Sequence, residues 1–266
     1  MMNAITKSLC IVLLAVAGSA LANEGGVRLE PAPTARLDNE SLQRGARNFV
    51  NYCMGCHSAQ FMRYSRLTDL GLTEKQIQDN LILGNAKIGS PMLSAMPRAD
   101  GAAWFGVSPP DLSVVARVRG KDWLYSYLLA FYRDEKSTTG WNNLVFPGVA
   151  MPHVLWKLQG TQKLVETEYE DLEKAEAAEI AAKALALAER LPGGKYAVKT
   201  LAIDQAGSQS SVEYRHFAAD LVNFLDYIAE PARNQRINIG LIVMIYLGVL
   251  FVFAYFLKRA YWKDIH

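Results

Sequence analysis

The chain is poor in cysteine, in histidine and in charge of either sign alone. Its 266 residues hold three cysteines and four histidines, and 28 lysines and arginines face 26 aspartates and glutamates, a net charge of +2. Three cysteines exclude a disulfide framework, and they exclude a four-cysteine zinc site within one chain. The near balance of charge, with no basic run interleaved with aromatics, supplies no field for nucleic acid, and no nucleic-acid partner is expected. Strand signals are sparse and no repeat is visible, so the expected fold is mostly α, with long irregular loops.

Long apolar runs are few as well. One lies in the leader, where a lone Lys7 precedes Leu9 to Ala17 and then Gly18-Ser19-Ala20-Leu21-Ala22. Small residues at Ala20 and Ala22 suit a signal peptidase, which predicts a signal peptide over 1–22 and export of the chain from Asn23 onward. The other run, Ile237 to Leu257, contains no charge. At ~1.5 Å per residue it matches a hydrocarbon core of ~30 Å. The expected layout is a domain over 23–235 in the periplasm of a bacterium, one transmembrane helix over 236–258 in the cytoplasmic membrane, and a cytoplasmic tail over 259–266.

Export of the mature chain leaves behind Cys10, so Cys53 and Cys56 are its only cysteines, in the stretch Tyr52-Cys53-Met54-Gly55-Cys56-His57. A redox disulfide would need the two cysteines alone. A histidine directly after the second is the signature of c-type haem attachment, in which each thiolate forms a thioether and the adjacent imidazole reaches the iron. One covalent haem c per chain is therefore expected, on Cys53 and Cys56, with His57 as the proximal ligand.

Around that motif, Asp38 or Asn39 can cap a helix carrying Leu42, Ala46, Phe49 and Val50 on one face, and Thr73 with Gln76 forms a capping box. Residues 84–110 and 134–152 read as irregular segments able to wrap a cofactor. Between them Asp122 is expected to cap an aromatic-rich helix, WLYSYLLAFYR. Lys163 to Leu191 reads as an alanine- and glutamate-rich helix, stopped by Pro192-Gly193-Gly194. Ser210 with Glu213 starts a further helix whose apolar face leads to Pro231.

A haem that only transfers electrons needs a second strong ligand, and methionine in that position raises the potential. Met62, Met92, Met96, Met151, His153 and His216 are the candidates. Met62 is too close in sequence to cross the ring easily. Met96 and Met151 both precede proline in irregular segments, and the turn Pro147-Gly148 favours Met151. Met96, His153 and an iron left five-coordinate remain open.

The combination RGARNFVNYCMGCHS, SPPDLSVVARVRG, FPGVAMP and IAEP just before the apolar run resembles the cytochrome c1 family, the haem-carrying subunit of the cytochrome bc1 (ubiquinol–cytochrome c reductase) complex. The similarity runs from about Leu37 to the C-terminus, apart from residues 157–209. The resemblance implies haem c on Cys53 and Cys56, axial ligands His57 and Met151, Pro110 lining the haem on the proximal side, and Arg119 near the propionates. It also implies a cytochrome b subunit beside the anchor, a Rieske iron–sulfur subunit as donor and a cytochrome c type acceptor. The chain would then be a redox subunit rather than an independent catalyst.

The departure from that pattern is 157–209, expected to be an acidic helical insertion because Glu166, Glu168, Glu170, Asp171, Glu173, Glu176 and Glu179 crowd its first half. Such a patch could steer a basic cytochrome, or simply be a solvated face. The rival functions are a membrane-anchored monohaem cytochrome serving a terminal oxidase or periplasmic reductase, a haem sensor or peroxidase with an open sixth position, and an exported thiol–disulfide protein.

Overall fold

The structure is a computed structural model that describes residues 26–263 apart from 34, 36 and 37. The expected signal peptide therefore lies outside the described residues. The chain divides into two compact units, one comprising 26–32, 102–107 and 122–218, the other 33–101, 108–121 and 219–263.

The second unit is organised by helix α1 (Asn39–Tyr52). Asp38 caps it as expected, its carboxylate accepting from the amides of Glu40 and Ser41. The buried face is Leu42, Ala46, Phe49 and Val50, the predicted stripe. It packs on the C-terminal half of a 19-residue helix that runs to Ala229, with the rings of Phe49 and Phe224 5.7 Å apart. Gly45 makes the crossing possible, since a Cβ there would sit 2.1 Å from the Asp220 carbonyl oxygen and 2.6 Å from the Phe224 Cβ. Polar bonds lock the same crossing: Ser41 Oγ donates to Asp220 at 2.6 Å, and the Arg44 guanidinium donates to both Asp220 oxygens at 2.7 and 3.1 Å.

After α1 come strand β1 (Ala59–Arg63), a 3-10 turn over Tyr64–Leu70, and α2 (Glu74–Asn80), which opens on the full Thr73/Gln76 capping box. The segment expected to be irregular also contains β2 (Pro91–Met92), antiparallel to β1, and α3 (Arg98–Phe105). Met62 and Met92 lie on that strand pair and are buried as core. A short α4 (Val115–Arg119) follows the double proline.

In the first unit, α5 (Lys121–Leu129) is shorter than predicted. Asp122 accepts from the amide of Ala32 at 2.8 Å, and the end of the aromatic run turns into β3 (Phe131–Arg133), paired with β4 (Trp141–Asn143). A one-turn α6 (Trp156–Gln159) leads into the strands that follow it.

The segment 160–206 corrects the helical reading of 163–191 and adds strand to a fold that is otherwise mostly α. It is an antiparallel sheet in the order β5, β7, β6, with β5 at Gly160–Tyr169, β6 at Leu187–Arg190 and β7 at Tyr196–Ala206; only Leu172–Ala181 is helical (α7). The alternation in Lys163-Leu164-Val165-Glu166-Thr167-Glu168-Tyr169 outweighs its helix-forming glutamates, because every second residue lies on one face of the sheet. Leu164, Leu187 and Leu201 pack on the core of Val27, Ala130, Leu144 and Val145. Pro192-Gly193-Gly194, read as a helix stop, is the loop of the β6–β7 hairpin, with both glycines at positive φ.

Helix α8 (Ser211–Ala229) begins with the predicted capping box, the Ser210 hydroxyl and amide both donating to Glu213. After Pro231, α9 (Arg233–Tyr261) contains the apolar run, and its 27 residues Gln235–Tyr261 form a helix long and apolar enough to cross a membrane.

Candidate functional site: a c-type haem attachment turn

Helix α1 ends at Tyr52 and the cysteine motif follows as a hydrogen-bonded turn. The amide of Cys53 donates to Phe49 O at 2.9 Å, and the amides of Cys56 and His57 donate to Cys53 O at 3.0 and 2.8 Å. A helical turn of this kind sets residues i, i+3 and i+4 on one side, so Cys53, Cys56 and His57 share a face. Both thiols are free. Crowding by protein and the neighbouring Cys56 push the Cys53 thiol up to about 12, and burial raises Cys56 as well. Both rest protonated, whereas a disulfide-exchange pair needs a thiol of lowered pKa.

The imidazole is fixed from behind. His57 Nδ1 lies 2.8 Å from the carbonyl oxygen of Pro110, which can only accept, so the ring carries its proton on Nδ1 and leaves the Nε2 lone pair available. Burial lowers the His57 pKa against the opposing effects of the Pro110 bond and Asp111, and the ring is held neutral as a metal ligand requires.

The SPPDLS segment explains how that carbonyl is held. Asp111 accepts from the amides of Gln60 and Ser113, each at 2.9 Å. Ser113 Oγ accepts from the Phe61 amide at 3.0 Å, and the Leu112 amide donates to Ser58 O at 2.8 Å. The segment is thereby stitched along β1, immediately after the haem motif. Cys53, Cys56, His57 and Pro110 come together in one unit; Arg119, half-buried at the end of α4, belongs to the same unit.

Met151 belongs to the first unit, in a half-buried loop shaped by two asparagines. The buried Asn143 accepts from the amides of Val145 and Phe146 and donates to Tyr127 O at 2.8 Å, while Asn142 Oδ1 accepts from the Gly148 amide at 2.9 Å. The Tyr127 hydroxyl donates to Met151 Sδ at 3.3 Å. Burial raises the Tyr127 pKa far enough to keep that donor protonated. Among the other candidate ligands, Met96 is half-buried with its sulfur 3.2 Å from where a Gly101 Cβ would stand, and His216 is exposed. His153 is buried, its ring stacked 4.8 Å from Phe131 and edge-on to Trp141. Sequence reasoning missed Asn142, Asn143 and Tyr127. The asparagine pair before FPG is a visible turn signal, and Trp123, Tyr127 and Phe131 at four-residue spacing form a visible aromatic stripe.

Two free thiols and an oriented neutral imidazole on one turn fit covalent haem, and with one apolar C-terminal helix they define a membrane-anchored c-type cytochrome. A profile described as the Cytochrome C1 family matches residues 30–92 and 200–265. The chain is 44% identical over 260 residues to "Cytochrome c1" of Allochromatium vinosum, covering 97% of this chain and 98% of that one. It is 43% identical over 240 residues, 90% of each chain, to a protein of Nitrosomonas europaea named "Ammonia monooxygenase gamma subunit", and 28% identical to "Cytochrome c1" of Rhodospirillum rubrum, over 96% of this chain and 94% of that one. The chain belongs to the cytochrome c1 family, whose members carry covalent haem c and act as the electron-transfer subunit of the bc1 complex.

Proposed function

We propose that this chain receives single electrons from a Rieske iron–sulfur subunit and delivers them to a cytochrome c type acceptor, held beside a cytochrome b subunit by α9 with its haem domain in the periplasm. The observation that carries the reading is the His57 Nδ1 contact with Pro110 O on the turn bearing Cys53 and Cys56. Bound haem c supplies a one-electron couple between ferric and ferrous iron.

The chain's own residues do the rest. Cys53 and Cys56 hold the group covalently, so an exported protein does not lose it by dissociation. His57 would offer Nε2 to the iron, and the Asp111 and Ser113 bonds to β1 hold the segment whose carbonyl orients its ring. Met151 is the proposed second ligand, a thioether that favours the reduced state and closes the site to small ligands. Arg119 is assigned to the propionates, where a guanidinium can bind a carboxylate through two parallel hydrogen bonds.

The test is quinol-driven reduction of the haem in isolated membranes, with and without an inhibitor of the cytochrome b quinol-oxidation site. Inhibitor-sensitive reduction is expected. Reduction that ignores the inhibitor moves the chain to another electron-transfer route.

A further inference from the structure

We propose that Tyr127 is a positioning residue for the Met151 thioether, and that its hydroxyl sets the electron-donating strength of that sulfur. The inference rests on Met151 being an axial ligand. A thioether sulfur has two lone pairs, and a metal uses one of them. The structure shows what occupies the other, since the Tyr127 hydroxyl donates to Met151 Sδ at 3.3 Å.

This phenol is a built feature rather than a surface side chain that happens to reach the sulfur. Its ring is stacked on Trp123, with centroids 5.0 Å apart and planes 10° from parallel, and meets the edge of Phe131 at 5.0 Å. Its backbone carbonyl accepts from Asn143 Nδ2 at 2.8 Å, and Asn143 also shapes the start of the loop that carries Met151. The same asparagine thus ties the donor's helix to the acceptor's loop. Both sides of the O–H···S contact are held by buried groups.

The expected chemistry comes from charge. Donation of a hydrogen bond to sulfur withdraws electron density from the remaining lone pair. Ferric iron depends on that density more than ferrous iron does, so the hydroxyl disfavours the oxidised state and raises the midpoint potential. Removing it lowers the potential while leaving the sulfur free to bind.

The experiment compares Tyr127→Phe, Met151→Leu and the unmodified protein, each haem-loaded in membranes, by redox titration and by the weak far-red absorption that marks methionine bound to ferric haem. The expected result for Tyr127→Phe is a retained far-red band with a lowered midpoint potential. A retained band with an unchanged potential overturns the proposal, because a merely structural tyrosine would give that result. Should Tyr127→Phe fail to accumulate, 3-fluorotyrosine at position 127, a stronger donor of nearly the same shape, is expected to raise the potential, and an unchanged potential there overturns the proposal equally. Met151→Leu separates the underlying reading: a far-red band that survives this substitution shows that another sulfur is the ligand, and the inference falls with it.

Discussion

Replacing Gly45 by alanine tests whether the crossing of α1 and α8 is set by backbone contact. The new Cβ would lie 2.1 Å from the Asp220 carbonyl oxygen and 2.6 Å from the Phe224 Cβ, where about 3.4 Å or more is needed. Neither neighbour is the end of a flexible side chain, so the helices must part by about 1 Å. Overpacking of this kind costs about 3 kcal/mol. Parting also stretches the Ser41 and Arg44 bonds to Asp220, worth about 2 kcal/mol together. Alanine returns about 1 kcal/mol through helix propensity. The net loss is about 4 kcal/mol, or roughly a 10 °C fall in melting temperature for a domain of this size. Thermal unfolding of the haem-loaded protein in detergent, followed by far-ultraviolet circular dichroism, measures it directly. A melting temperature within about 3 °C of the parent, the shift expected from only about 1 kcal/mol, would mean that the contact relaxes at little cost, and the reasoning would fail.

Other perturbations act on the site itself. The Cys53→Ala, Cys56→Ala double variant should show no covalent haem stain on a denaturing gel, and a normal stain at unchanged abundance would remove both residues from the assignment. Asp111→Ala strips two amides of their acceptor and should cost about 2 kcal/mol. Asp111→Asn, which keeps a single acceptor, should recover about half of that, and equal melting of parent and alanine variant would show that Asp111 does not anchor the segment. Lys199→Ala breaks ion pairs with Glu166 and Glu189, both about half exposed, so stability to thermal unfolding should change by less than about 1 kcal/mol. A large loss there would reveal a structural role that exposure argues against.

The helical framework of the second unit is readable in the sequence because local signals and burial agree. Asp38, the Thr73/Gln76 box and the Leu42-Ala46-Phe49-Val50 stripe each appear in the structure as expected. The segment 160–206 misleads because its glutamate and alanine content masks the alternation in Leu164 to Tyr169. Its acidic character is also smaller than composition suggests. Glu166, Glu168, Glu170 and Glu189 all pair with Lys195 or Lys199, and Asp171 pairs with Lys174. Pairings across strands are set by register, which no local pattern in the sequence displays. The haem motif is legible from three residues. The carbonyl that orients His57 can be narrowed from sequence no further than Pro109 or Pro110, since a contact 53 residues away along the chain leaves no periodic trace.

The base of the β5–β7 pair limits how this protein can vary over time. A Cβ on Gly160 would stand 2.2 Å from Gln205 O and 2.6 Å from Gly207 N, and one on Gly207 would stand 2.2 Å from Leu158 O. Each glycine faces main chain rather than a side chain that a second mutation could shrink, so no partner substitution can rescue either. The two positions are therefore inherited as a unit together with strands β5 and β7. A descendant that shed the strands would release both glycines at once, and one that kept them could lose neither.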